Sequence, residues 1–286
     1  MIRGALGLNN YVSGQIAKNK DLAAAILADI TTIGPTYSIF YIDQESSRSI
    51  THKIQQLARE RDIVIKASDL SLSQGMYIKP QTAREISRAV RELTADKRIK
   101  KILVEPYFTS TSEYRIHVYK GTIIDVLLRT PAHVDGDGHT TISDLVAHKN
   151  TARREHHFKT IQIDSATIAA QSMSPQSIPQ PGERVWLQQA CNLALGGEVE
   201  RLPKSHLHKH YTHIAKELYE RTQLVYVGLD LMTTDPKARP TKRTAFINEF
   251  NSSPNPDAPY FAGVMHNKGL HGVMDILAVI QADLTV

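Results

Sequence analysis

The pair of segments at residues 225–232 (V-Y-V-G-L-D-L-M) and 244–253 (T-A-F-I-N-E-F-N-S-S) constrains the fold of this chain more than any other stretch. Each is an apolar run broken by a few acidic or amide groups, the pattern of a buried strand that carries chemistry on one face. Glu249 and Asn251 are two residues apart and therefore point to the same side of a strand. An antiparallel neighbour would bring Asp230 to them. Three oxygen donors then meet on a patch otherwise built of Val, Ile, Leu and Phe, which suits a hard cation such as magnesium that keeps its other positions for water and phosphate. Asp230 alone reads as an ordinary solvated or salt-bridged acid. The joint pattern is what predicts a metal and phosphate site.

With 286 residues, 41% hydrophobic and 22% charged, the chain can bury a sizeable core as one large domain or two closely packed lobes. Its 34 basic and 29 acidic side chains leave a formal charge of +5, which suits anionic partners including nucleotides. That excess is spread too evenly to argue for nucleic acid. Cys191 is the single cysteine, so no intrachain disulfide forms and a reducing compartment is expected. No apolar run reaches membrane-spanning length and residues 1–25 lack a signal-peptide core, so a soluble cytoplasmic protein is the expectation.

In chain order, residues 13–30 carry an Ala/Leu/Ile-rich helical pattern closed by Gly34-Pro35; Lys20 within it reads, on the residues alone, as a solvated helix charge. A short strand is predicted at 36–42 and a helix at 46–61 with Ile50, Ile54 and Leu57 on one face. D-I-V-I-K-A-S-D is a strand ending in Lys66, whose ammonium is costly there unless it meets an anion or water. The hydroxyl-rich loop 68–75 either closes over phosphates or is a plain surface turn. Helix 82–96 places Ile86, Val90 and Leu93 at core spacing, and I-L-V-E-P-Y-F is a buried strand ending at Glu105. Residues 113–129 alternate about a Lys120-Gly121 turn, a hairpin signal, with Glu113 and Arg115 on one face of its first strand and Arg129 ending the second.

A G-D-G turn and a helix capped by Thr140 or Thr141 follow, with Asp135 and Asp137 as turn formers rather than calcium ligands. Residues 151–180 read as an irregular excursion; a strand, Asn192 and the Gly196-Gly197 pair come next. Helix 205–222 carries His206 and His210 one turn apart, which with no third ligand nearby reads as a solvated face. An amphipathic helix at 268–284 closes the chain. Neither G-x-x-x-x-G-K-[ST] nor G-x-G-x-x-G occurs, so an ATP site here needs another architecture.

The ordered series N-K-D-L, V-I-K, I-L-V-E-P-Y, S-E-Y-R-I, L-L-R-T-P-A-H-V-D-G-D-G, C-N-L-A-L-G-G, G-L-D-L and N-E-F-N resembles the ATP-grasp ligases. Within them it is most similar to the ligase domains of bifunctional glutathione synthetase and cyanophycin synthetase. The resemblance implies an α+β fold, the ATP-grasp fold, with two α/β lobes whose antiparallel sheets enclose an ATP cleft. It divides the chain into an N-terminal extension at 1–12, a lobe with the phosphate lid at 13–104, and a lobe with the metal and substrate site at 105–286. Little or no domain ahead of the ATP-grasp lobes is expected.

Carried onto matching positions, the resemblance implies that Lys20 and Lys66 contact ATP phosphates and that the 68–75 loop, with Ser73 and Gly75, is the lid. Glu105 matches the hinge acid that reads the adenine edge, with Val104 and Tyr107 beside it, and Glu113 matches the acid holding the ribose hydroxyls. Arg129, Asn192 and Arg115 match catalytic positions facing the phosphoryl group and substrate. Asp230, Glu249 and Asn251 match the ligands of magnesium, two ions being implied and manganese able to substitute. The implied activity joins the carboxylate of an amino acid or small peptide to an amine through an acyl phosphate. A protein-modifying amino-acid ligase and a non-catalytic nucleotide-binding module are the alternatives. No membrane partner is expected, and a homodimer or partner subunit could complete the substrate site.

Overall fold

The computed structural model describes residues 7–68, 70, 75–110, 112–254, 258, 262 and 277–282. The first sheet has four strands in the order β1-β4-β2-β3, namely β1 (Ser38–Tyr41), β2 (Ile63–Ala67), β3 (Met76–Ile78) and β4 (Lys101–Pro106). Its pairings are antiparallel, with Lys66 opposite Leu103 and Met76. Helices α3 (Ser47–Glu60) and α4 (Ala83–Ala95) cover one face. Their apolar stripes, Ile50 and Ile54 on α3 and Ile86, Val90 and Leu93 on α4, pack on Ile63, Ile65, Ile102 and Val104. Both helices start where the sequence caps them: Ser46 accepts from Ser49 N, and Thr82 and Glu85 form a reciprocal capping box.

The second sheet has five strands in the order β11-β10-β5-β6-β9. The hairpin β5 (Ser112–Tyr119) and β6 (Thr122–Thr130) sits at its centre, flanked by β10 (Tyr226–Thr233) and β11 (Ala245–Asn251) on one side and β9 (Glu198–Leu202) on the other. Helices α1 (Tyr11–Lys18), α2 (Lys20–Ile30) and α7 (Lys209–Thr222) lie against one face. Ala23 and Leu27 of α2 and Tyr211, Ile214 and Leu218 of α7 share a core with Tyr114, Ile116, Leu229, Ile247 and Phe250. The opposite face carries Glu113, Arg115, Arg129, Asp230 and Glu249 towards the first sheet.

Three expectations are corrected, and one strand goes unforeseen. Residues 13–33 belong with the second lobe, not the first, because Ala23, Leu27 and Ile33 are buried in its core. Asn9 is also tied there: its Nδ2 donates to the carbonyls of Tyr226 and Ser252, both at 2.6 Å. Residues 151–180 are not an irregular excursion. Helix α5 (Ile142–Glu155) runs into them, α6 (Ser165–Ala169) follows, and with the ribbon β7 (His133–Asp135) and β8 (Arg184–Trp186) they close a small core around Val134, Ile142, Ile161, Ile168 and Val185. Strand β9 was not foreseen, since the E-V-E-R-L pattern follows two glycines and exposes polar groups. His206 lies in a 3-10 turn (Lys204–His206) ahead of α7, whose N-cap is His208, so His206 and His210 are not one turn apart on one helix.

The closing helix expected at 268–284 falls mostly outside the described residues; residues 277–282 are helical. Among the described residues no helix is long and apolar enough to cross a membrane.

Candidate active site

A cleft of about 1600 Å³ opens between the two sheets. Lys20, Lys66, Glu105, Tyr107, Glu113, Arg115, Arg129, Asn192, Asp230, Glu249 and Asn251 all line it. Strand alternation puts Lys66 on the cleft side of β2 while Ile63 and Ile65 face the helices. The same alternation sends Val104 away. It is 2% exposed within the helix-side core, so its side chain does not line the cleft as the resemblance implied.

On the first-lobe side, Lys66 and Glu105 form a buried pair, Nζ to Oε1 2.6 Å, with side chains only 9% and 5% exposed. The Tyr37 ring lies 4.9 Å from the same ammonium. Burial pushes the Glu105 carboxyl above its ordinary range and Lys66 opposes that rise. Burial and the nearby Glu105 and Glu249 charges also push the Tyr37 phenol up. Lys20, at the start of a helix packed on the other lobe, sends its ammonium to the carbonyls of Ser68 at 3.1 Å and Leu70 at 2.8 Å. Its neighbour Asp21 pairs with Lys101 of β4. Lys20 is thus placed at the entry to the predicted lid. Ser73 lies outside the described residues, and Gly75 has φ 63°, a left-handed conformation that favours glycine. A Cβ at Gly75 would meet Leu93 and Leu70 at 3.0 and 3.2 Å, so this position closes over the first core.

On the second-lobe side, Asp230 stands opposite both Glu249 on β11 and Arg115 on β5. Arg115 Nε is 2.5 Å from Asp230 Oδ1, and Arg129 Nη1 is 3.3 Å from Asp230 Oδ2 and 3.0 Å from Glu113 Oε1. Burial pushes the Glu113 carboxyl up, with Arg129 pulling the other way. Burial works against the Arg129 guanidinium, but Asp230 and Glu113 outweigh it and hold its pKa above the ordinary value. The other side of that guanidinium grips the Cys191 carbonyl from Nε at 2.9 Å and Nη2 at 2.6 Å. Arg129 therefore braces the loop that carries Asn192, whose Oδ1 accepts from Ala194 N at 2.9 Å. Gly228 makes room for this arrangement, since a Cβ there would meet Arg115 Nη1 and Pro254 Cβ at 2.9 Å.

Strand β11 departs from strict alternation. The register steps from Asp230↔Glu249 to Leu231↔Ile247, leaving Asn248 in a β-bulge. Ile247 and Phe250 consequently both enter the core, whereas Asn248, Glu249 and Asn251 all line the cleft. Asn251 Nδ2 donates to Glu249 Oε1 at 3.1 Å. Asn248, Tyr37 and Asp21 were missed by sequence reasoning. The N-E-F-N motif contains Asn248, but a period of two assigns it to the core side.

The overall arrangement matches known proteins. The chain is 26% identical over 256 residues to the glutathione biosynthesis bifunctional protein of Clostridium perfringens, covering 86% of this chain and 32% of that protein. It is 25% identical over 249 residues to cyanophycin synthetase of Geminocystis herdmanii, covering 84% and 28%. The crystal structure of a bifunctional glutathione synthetase from Pasteurella multocida superposes with a TM-score of 0.59 at 22% identity, over 97% of this chain and 37% of that one. The ATP-grasp ligase PsnB complexed with minimal precursor superposes with a TM-score of 0.52 at 12% identity, over 96% and 63%. The fold is that of the ATP-grasp ligases. The chain spans about a third of the length of the curated relatives it matches. No protein-family model matches it.

The donor set of the cleft fits a magnesium ion by its chemistry. Asp230, Glu249 and Asn251 offer only oxygen ligands on adjacent strands, and magnesium is usually held by one or two carboxylates with substrate phosphates and water filling the rest. Among the described residues no group of three or more His, Cys, Asp or Glu side chains is arranged to hold a metal. A site of two acids and one amide, completed by phosphate, is consistent with that.

Proposed function

We propose that this chain is an ATP-dependent carboxylate-amine ligase that forms an amide or peptide bond on amino acid or small-peptide substrates through an acyl phosphate. The observation that carries this reading is the meeting, in one cleft, of four cationic side chains with an all-oxygen acid and amide set: Lys20, Lys66, Arg115 and Arg129 facing Asp230, Glu249 and Asn251. Phosphoryl transfer asks a protein mainly for alignment and for charge neutralisation on several oxygens. A cleft of about 1600 Å³ also exceeds the roughly 300–1,000 Å³ of a single-ligand pocket, leaving room for a nucleotide and co-substrates together.

In this reading Lys66 and Lys20 bind the ATP phosphates from the first sheet and the lid entry. Glu105 and Tyr107 lie against the base. The Glu113 carboxylate, held by Arg129 at Oε1, accepts from the ribose hydroxyls. Asp230, Glu249 and Asn251 would hold magnesium, which when bound supplies Lewis-acid neutralisation of the phosphate oxygens. Arg129 and Arg115 orient the substrate carboxylate and the transferred group, and Asn192 sits beside them on the loop that Arg129 braces. A carboxylate is a poor electrophile; once phosphorylated it carries a leaving group that an amine displaces as phosphate.

The test is release of ADP by the purified chain with MgATP and a panel of amino acids, dipeptides and acidic peptides, with hydroxylamine trapping of any acyl phosphate. The proposal expects ADP release that depends on a carboxylate, and hydroxamate formed from that same carboxylate. Tight ATP binding with no ADP or hydroxamate on any carboxylate would instead mark a nucleotide-binding module.

A further inference from the structure

We infer that Asn248 is a positioning residue of the nucleotide site: presented by the bulge in β11, it fixes the Lys66 ammonium from across the gap between the two lobes. This rests on the reading of the cleft as a nucleotide site. Asn248 Oδ1 accepts from Lys66 Nζ at 3.3 Å, a contact between residues 182 positions apart in the chain. Other polar contacts cross between the lobes as well: Asp21 pairs with Lys101, and Lys20 Nζ donates to the carbonyls of Ser68 and Leu70.

The bulge is what makes the contact possible. Strict alternation through Glu249 and Asn251 would turn Asn248 towards the α2 and α7 side, where Ile247 and Phe250 are buried instead. Bulges re-aim side chains at the expense of a ladder pairing. Here the re-aiming places Asn248 beside Glu249, so the strand that carries a proposed metal ligand also holds a proposed phosphate ligand.

The chemistry of the amide matters. An ammonium has three N–H donors. Glu105 takes one from the first lobe and Asn248 a second from the other, and two fixed donors set the direction of the third. Glu105 alone would leave the ammonium able to turn about a single ion pair. An acid at 248 would accept the same hydrogen bond but would add a negative charge facing the phosphates. A neutral amide orients the cation without cancelling it.

The experiment is calorimetric titration of MgATP, with adenosine as the phosphate-free control, into wild type, Asn248→Ala, Lys66→Met and the double variant. If Asn248 acts through Lys66, Asn248→Ala weakens MgATP by about tenfold and adenosine by less than about twofold, and in the Lys66→Met background the same change costs less than about twofold. Equal weakening in both backgrounds, or equal weakening of ATP and adenosine, overturns the inference while leaving the nucleotide site intact. Failure of wild type to bind MgATP overturns the nucleotide reading itself, and the inference with it. Should Lys66→Met not fold, Asn248→Asp decides: it is expected to bind MgATP at least as weakly as Asn248→Ala while keeping adenosine affinity, and wild-type MgATP affinity in Asn248→Asp overturns the inference.

Discussion

Replacing Lys66 by methionine keeps the volume of the side chain and removes only its charge, leaving Glu105 buried without a counter-ion. Both side chains are less than a tenth exposed and their charged atoms lie 2.6 Å apart. Breaking such a pair from one side costs about 3–5 kcal/mol, because the remaining charge stays desolvated. Glu105 lines the cleft, which gives water some access once the lysine is gone, so a loss near the lower end, about 3 kcal/mol, is expected at pH 8.

The loss must also depend on pH. The Glu105 carboxyl is raised by burial and lowered by Lys66, so removing Lys66 raises it further. A carboxyl with a folded pKa above its unfolded value of about 4.3 binds protons more tightly when folded. Stability then falls as pH rises through that window, and the variant widens the window upward. Moving from pH 8 to pH 5 should therefore recover at least about 1 kcal/mol of the loss, since one pKa unit corresponds to about 1.4 kcal/mol. Urea unfolding followed by far-UV circular dichroism at both pH values measures this. The double variant Lys66→Met with Glu105→Leu should return to within about 1 kcal/mol of wild type. A loss below about 1 kcal/mol at pH 8, or one of the same size at pH 5, would refute the view of Lys66 and Glu105 as a desolvated pair.

Three further outcomes are expected. Asp230→Asn or Glu249→Gln should lower turnover, read as ADP release, by at least about a hundredfold, each removing charge from the phosphoryl-transfer site; near-normal turnover in both would remove the proposed metal site. Arg129→Lys should keep ATP affinity within about threefold yet lose about a hundredfold in hydroxamate formation, because lysine cannot reach Cys191, Glu113 and Asp230 with one planar fork. Hydroxamate at the normal rate would sink that role. Gly228→Ala should destabilise by about 1–3 kcal/mol through the clash with Arg115 and Pro254, and unchanged urea unfolding would show that Arg115 is not seated over that glycine.

Much of the architecture was legible in the chain itself because it is written in local patterns. The apolar stripes of α3 and α4, the Thr82 capping box, the hairpin turn at Lys120-Gly121 and the two-residue spacing of Glu249 and Asn251 each need only neighbouring residues and a fixed period. The oxygen donors on β10 and β11 could be grouped for the same reason, given one antiparallel pairing. Tertiary structure decided what depends on partners distant in sequence. Residues 13–33 joined the second lobe because Leu27 and Ile33 found their apolar neighbours on α7 and β11, and no local signal names a partner. Val104 turned to the core and Glu105 to the cleft according to which face α3 and α4 cover. Asn248 reached Lys66 because β10 and β11 pair one residue out of step, and a strand's period holds only where its partner keeps register, which is a property of two strands and not of one.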